Sequence, residues 1–212
     1  MKERNNNITV FGLVAEEPVF NHESNGEDFY KTFITVRRTS GAFDTLPVVI
    51  SDRIIDMKEI KVGDCVMITG QVRSHNLHIG EKSKLELFIF TEIIEIYEND
   101  TELPFDNDVV LRGFICKEPI YRVTPLGREI ADILVAVNRP YGKSDYIPCI
   151  AWGRNARFAG GLEVGSHLQI CGRVQSREYT KKVDEESVEK RVAYEVSVGR
   201  VEIIEEEENA DE

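Results

Sequence analysis

The sequence predicts an all-β chain built from two copies of one small barrel, and three observations predict it: an internal repeat, period-two alternation within each copy, and one short helical stretch at a fixed place in the strand order. The repeat settles the domain count. "NNITVFGLVAEEPVF" (6–20) lies over "NDVVLRGFICKEPIY" (107–121), with Gly12 on Gly113 and Glu17-Pro18 on Glu118-Pro119. The same offset of 101 pairs Gly26 with Gly127, Arg38 with Arg139, Pro47 with Pro148 and Arg53 with Arg154. After one inserted residue, "VGDCVMITGQVRS" (62–74) covers "VGSHLQICGRVQS" (164–176). The chain therefore divides into a first domain at 1–97, an acidic linker at 98–106, a second domain at 107–204 and an acidic tail at 205–212.

Alternation supplies the strands. In the second copy "DVVLRGFIC" alternates and breaks at Lys117-Glu118-Pro119, "EIADILVAVNR" is a longer run, and a turn with Tyr141-Gly142 leads into "DYIPCIAWGR". "GRNARFAGGL" (153–162) is the helical stretch, ended by Gly160-Gly161. "GSHLQICGRVQSREY" is a fourth strand whose internal Gly172 suggests a bend or bulge, and "KRVAYEVSVGRVEII" is a fifth. The polar "TKKVDEESVE" between them reads as a long hairpin loop. Three strands, a short helix and two strands is the order of an OB-fold, a five-stranded Greek-key barrel that commonly binds oligonucleotides. The expectation is two tandem OB-folds, each with a short helix between its third and fourth strands.

Composition excludes several classes. No apolar run approaches the ~18 residues of a membrane span, and "MKERNNNITV" has no hydrophobic segment of the signal-peptide kind, so a cytoplasmic protein without membrane partners is expected. Cys65, Cys116, Cys149 and Cys171 sit singly inside apolar runs with no CxxC, as buried free thiols do. The net charge of −12 is concentrated: residues 98–108 carry −5 and 205–212 carry −6, whereas 109–204 carry +3. Acid placed in a linker and a tail leaves room for a phosphate-binding face elsewhere. No GxSxG, P-loop or HExxH occurs, and His75 and His78 lack ligand partners at recognisable spacing, so no enzyme, cofactor or metal is expected.

The informative stretch is "DYIPCIAWGR" (145–154). Side chains alternate faces along a strand, so Tyr146 and Trp152, the only tryptophan, share one side, while Ile147, Cys149 and Ala151 share the other. The three small or apolar residues already make a core face, which leaves two large rings outside it.

Residues 107–204 resemble the core domain of bacterial single-stranded DNA-binding proteins. The resemblance rests on "NDVVLRGFICKEPIYRVTPLG", "ILVAVNR", "DYIPCIAWGR", "GSHLQICGRVQSREY" and "YEVSVGRVEII". It implies sequence-tolerant binding of single-stranded DNA in replication, repair or recombination. A protein that must take any strand uses what every nucleotide has, a π-face and a phosphate, so rings and cations along one groove suffice. Tyr146 and Trp152 are then stacking platforms, and the family pattern adds Tyr141 and Tyr179. Arg139, Arg154, Arg173 and Arg177 fall beside these rings as phosphate contacts, with Arg112 and Arg122 as weaker candidates. The resemblance also implies four OB domains per working unit, which a two-domain chain reaches as a homodimer, with "LELFIF" (85–90) as one place for contact. Family members recruit replication proteins through an acidic tip closing in Pro-Phe. The present chain ends "EEEENADE", and a similar "DTELPFDND" around Phe105 is internal.

The first copy departs from the pattern. Tyr146 falls on Thr45, Trp152 on Ser51 and Tyr179 on Leu77. Arg37, Arg38, Arg53 and Arg73 remain near a groove, and Phe43 could replace Tyr141. Two readings stand, a weaker electrostatic DNA surface or a half that mainly supports barrel and dimer, and the second is preferred. The rival for the whole chain is an OB-fold adaptor for protein or RNA whose DNA groove is lost.

Overall fold

The alternation read above becomes eleven strands in a computed structural model that describes residues 4–80, 82–98, 106–182 and 188–205. Most of the acidic linker, including Phe105, and the tail beyond Glu205 lie outside the described residues, as does the side chain of His78. The first copy forms β1 (Asn6–Val14), β2 (Val19–Ser24), β3 (Glu27–Arg37), β4 (Phe43–Ser51), β5 (Cys65–Ile79) and β6 (Lys82–Tyr97). The second forms β7 (Asn107–Val123), β8 (Glu129–Asn138), β9 (Ser144–Trp152), α1 (Arg154–Ala159), β10 (His167–Lys182) and β11 (Val188–Ile203).

The sheet runs β10-β11-β9-β8-β7-β1-β5-β6-β4-β3-β2, with β10–β7 and β1–β3 closing a barrel on each side. All ladders are antiparallel except β4–β6 and β9–β11, the Greek-key returns. These are two tandem OB-folds, and each barrel is filled by its alternate apolar residues. Ile8, Ile34, Leu46 and Ile68 are fully buried in the first, as are Leu111, Val135, Ile147 and Ile170 in the second.

Proline shapes the first strand of both copies, since it brings no N–H to a ladder. In the first copy Glu16-Glu17-Pro18 splits the strand into β1 and β2. In the second the expected break at Lys117-Glu118-Pro119 is a bend: β7 continues, and its register against β8 shifts between Ile115 and Lys117 and again before Ile120. The hairpin loop expected at 180–189 is shorter than the sequence suggests, because β10 runs to Lys182 and β11 starts at Val188.

One expectation is corrected. The second copy has its helix, closed where Gly160 N–H reaches Ala156 C=O at 2.8 Å. Ala156 and Ala159 are fully buried on the barrel. The first copy has instead a 3-10 turn, Met57–Glu59, capped by Asp56 accepting from Lys58 N–H at 3.0 Å. Its segment is one residue shorter and carries Ile54, Ile55 and Ile60, β-branched residues that favour extended backbone. Ile60 is buried where a helix would otherwise lie.

Both long hairpins bend at a matched glycine. The ladders shift at Thr69/Gly70 and at Cys171/Gly172, so the bulge expected at Gly172 is present and duplicated. A Cβ on Gly70 would collide with Phe90 C=O, and one on Gly172 with Ser197 C=O. Backbone cannot yield as a flexible side-chain end does, which explains glycine at both places.

The domains join through β1 and β7, antiparallel from Asn6↔Leu111 to Val10↔Asn107. The central pair, Ile8↔Val109, joins residues that are each other's repeat equivalents, so a pseudo-two-fold axis passes between them. Two matched clamps obey it. Asp44, fully buried, accepts from Arg38 Nε at 2.7 Å and from Ser176 N–H of the second domain at 2.7 Å, while Arg38 Nη2 donates to Ser176 C=O at 3.1 Å. Asp145, equally buried, accepts from both Arg139 Nε and Nη2 and from Ser74 N–H of the first domain at 2.6 Å, while Arg139 donates to Ser74 C=O at 3.0 Å. Each carboxylate thus satisfies one guanidinium of its own barrel and one strand amide of the other.

Candidate nucleic-acid interface

Strand β9 builds the site as alternation requires. Ile147, Cys149 and Ala151 turn inward at 0–3% exposure, while Tyr146 and Trp152 are 42% and 40% exposed on the outer face. At a rise of about 3.3 Å per residue the two rings stand about 20 Å apart along the strand. Between them Pro148 and Ile150 continue the same face, and β8 lies alongside with Ile130↔Trp152, Asp132↔Ile150, Leu134↔Pro148 and Ala136↔Tyr146 in register. The result is a face with a ring at each end and, between them, Pro148, Leu134, Asp132 and the buried Ile150 and Ile130.

The position of Tyr146 depends on the other domain. Its backbone N–H donates to Ser74 Oγ at 2.8 Å across the seam. Trp152 is followed by Gly153 at φ 53, which turns the chain into α1 and leaves Arg154 exposed at the first helical residue. Tyr141 is fully exposed in the β8–β9 turn, at φ 65.

Strand β11 separates β9 from β10, whose outer face reads Arg173, Gln175, Arg177 and Tyr179 at every second position. A polar ladder joins them. Arg173 Nη2 donates to Gln175 Oε1 at 2.9 Å, Gln175 Nε2 donates to Glu195 Oε1 at 2.8 Å, and Arg177 donates to both Glu195 oxygens at 3.2 Å. The Arg177 guanidinium lies 6.0 Å from the Tyr179 ring, which is 37% exposed. Hydrogen bonding to Glu195 holds the Arg177 pKa above its ordinary value, so the cation is permanent.

The remaining candidates separate. Arg122 pairs with Asp132 at 2.8 Å on the β8–β9 face itself, both ends half-exposed. Arg139 and Arg173 were expected beside the rings as phosphate contacts. Arg139 is committed to the seam clamp, and Arg173 shares Asp44 with Arg38 at 3.3 Å. Arg112 donates to Gln169 Oε1 at 2.7 Å where β7 meets β10, away from β9. In the first domain Arg53 pairs with Glu27 at 3.5 Å, and Arg73 lies 3.6 Å over the Phe90 ring. Arg37 and Phe43 face each other, exposed, where the β3–β4 hairpin opens.

The first domain does without the platforms in a specific way. Ser51, in the place of Trp152, is 2% exposed and donates to Glu27, sealing that end of β4. Its outer face still carries rings that comparison of the repeats misses. A cavity of about 560 Å³ is lined by Phe33, Pro47, Val49 and Phe88 of the first barrel and by Tyr194 from β11 of the second. Burial, with Glu86 and Glu16 nearby, raises the Tyr194 pKa, so its phenol stays neutral. Alternation in "LELFIF" places Phe88 outward with Leu87 and Ile89 in the core, but the approach of Tyr194 depends on the domain packing.

Burial pushes the Cys149 thiol well above its ordinary pKa, and Cys65 and Cys116 shift the same way. Among the described residues no three His, Cys, Asp or Glu side chains converge as metal ligands, and no helix is long and apolar enough to cross a membrane.

With this geometry in place, comparison with known proteins shows what the two domains are similar to. Residues 106–204 match the model of the single-strand binding protein family. The match covers the second domain, and the first domain lies outside it. Single-stranded DNA-binding protein 3 of Listeria innocua is 40% identical over 80 residues, covering 34% of this chain and 50% of the relative. The chain thus spans about half the length of the curated relatives it matches. The wild-type single-stranded DNA binding protein of Thermus aquaticus shares the fold over both domains, with a TM-score of 0.75 at 20% identity and coverage of 94% and 93%. A deletion variant of the same Thermus protein matches at a TM-score of 0.74 over 98% of each chain.

Proposed function

We propose that the chain is a non-catalytic protein of the cytoplasm that binds single-stranded DNA without sequence preference, in replication, repair or recombination. The observation that carries this is the outer face of β9, where Tyr146 and Trp152 are about two-fifths exposed while Ile147, Cys149 and Ala151 fill the inward face. Base faces stack on such rings irrespective of sequence, and duplex DNA offers none of them. Tyr141 and Tyr179 extend the platform, and Arg122, Arg154 and Arg177 meet the phosphates. Arg139 acts one step removed, through the clamp that holds Ser74 under Tyr146. An adaptor reading has less in its favour, since a lost DNA groove gives no reason to keep two rings exposed.

In this reading residues 1–97 brace the second barrel and add a secondary contact, 98–106 is a linker and 205–212 a polyanionic tail. Two chains associate to bring four barrels to one strand. Oligo-dT should bind in preference to duplex of equal length, and affinity should fall linearly in log–log form as salt rises. Light scattering of the same samples should give about twice the chain mass of 24.2 kDa per particle, before added DNA. Equal affinity for duplex and single strand would contradict the proposal.

A further inference from the structure

A second cleft, of about 590 Å³, lies on the domain seam. The β3–β4 hairpin of the first barrel brings Arg37, Arg38 and Ser40 to it, and β10 and β11 of the second bring Arg173 and Arg200. The repeat supplies an internal control, because the seam is pseudo-symmetric and every position has a mate. The mate of Arg37 is Asn138, and the strand registers set Gln71 against Arg173 and Ile93 against Arg200. Arg38 has an arginine mate in Arg139, the other clamp residue. Arg173 has a counterpart in Arg73, which lies by Arg139 and Asp145 and donates to Gln71 as Arg173 lies by Arg38 and Asp44 and donates to Gln175. A requirement of the fold would act on both sides of the axis. Arg37 and Arg200 have no such counterpart and therefore call for another cause.

The charges are set to face a ligand. Asp44 is fully buried and shared by Arg38 and Arg173, so one carboxylate offsets one of the two charges and leaves a net cation between them. Burial first, and then the neighbouring Arg38 cation, lower the Arg173 pKa against the opposing pull of Asp44. Arg200 is 70% exposed at its side chain and holds only Glu202 on its own strand, a surface pair that an anion can displace. Among the described residues Asp108 is the one carboxylate lining the cleft. From Arg173 the outer face of β10 leads through Gln175 to Arg177 and Tyr179, so the cleft lies at the start of the same face that ends at a platform.

We propose that this seam cleft takes the phosphodiester backbone of the bound strand, carrying it from the second barrel across to the first. Arg37 and Arg200 meet the phosphates, and planar guanidinium forks match their oxygens two at a time. The inference rests on the single-strand reading above. The site holds no base, so it adds affinity without adding sequence preference.

The test compares the full chain with Arg37→Gln/Arg200→Gln by titration with oligo-dT across a salt series. Each phosphate contact on a single strand contributes about 0.7 to the slope of log affinity against log salt. The double variant should lose about 1.4 from that slope, so its deficit relative to the parent shrinks about 25-fold per tenfold rise in salt. Arg37→Lys/Arg200→Lys should retain the parent slope. Lys58→Gln/Lys61→Gln, exposed on the far turn of the first barrel, removes equal charge and should leave the slope unchanged. An unchanged slope in the arginine variant, with the parent binding normally, overturns the cleft and leaves the proposed function standing. An equal loss in the lysine control also overturns it, since net charge then accounts for the effect. A parent that binds no oligo-dT at all overturns the function itself.

Discussion

Asp145→Ala should destabilise the folded chain by about 3 kcal/mol and weaken binding of single strands in the same variant. The carboxylate is fully buried and accepts from Arg139 and from Ser74 N–H, so its loss strands a cation and an amide together. Breaking a buried ion pair by removing one partner costs about 3–5 kcal/mol. Arg139 keeps a quarter of its side-chain surface in water, which places the effect at the lower end. Binding suffers because Ser74, held by this clamp, accepts the hydrogen bond that fixes the Tyr146 backbone. Urea unfolding measures the first effect and oligo-dT titration the second. Asp132→Ala, which removes a half-exposed partner of Arg122, should change stability by no more than about 1 kcal/mol. Equal, small effects from both would mean that the β1–β7 ladder and the Asp44 clamp hold the seam without Asp145.

The second large effect lies on β9. Tyr146→Ala and Trp152→Ala should each weaken oligo-dT binding by about 1–3 kcal/mol, roughly 5- to 150-fold. The rings stand about 20 Å apart along the strand, too far to share a neighbour, so the double variant should lose the sum. The fold should be retained, because the buried apolar residues of β9, Ile147, Cys149, Ile150 and Ala151, are untouched. The slope of affinity against salt should stay at the parent value, since no phosphate contact is removed. This separates ring variants from arginine variants by a readout other than affinity.

What could be read from the sequence was local. The outward pair on β9 needed only alternation and an even spacing, and the bulge at Gly172 needed only a glycine inside a strand that repeats at Gly70. What escaped depends on how the barrels meet. Arg173 looks like a groove cation until the packing of the barrels brings Asp44 beside it, and Arg139, which meets Asp145 within its own β8–β9 hairpin, until both are seen to reach Ser74 across the seam. A signal did exist: Arg38, Asp44 and Ser74 reappear in the repeat as Arg139, Asp145 and Ser176, while the stacking rings do not. Polar residues kept in both copies after the rings are gone belong to what the copies share, which is the seam. The missing helix of the first barrel was also legible in part, from the isoleucines at 54, 55 and 60. The Phe33–Phe88–Tyr194 cavity was not, because its third ring comes from the other domain.

The central claim is that bases stack on the outer face of β9, and Trp152 reports on it directly as the only tryptophan. Its emission should be followed while oligo-dT is added at low salt, with complex formation monitored in parallel by gel shift. Stacking predicts saturable quenching that tracks the complex and reverses as salt is raised. A complex that forms fully while Trp152 emission stays unchanged would place the strand elsewhere on the protein and contradict the account.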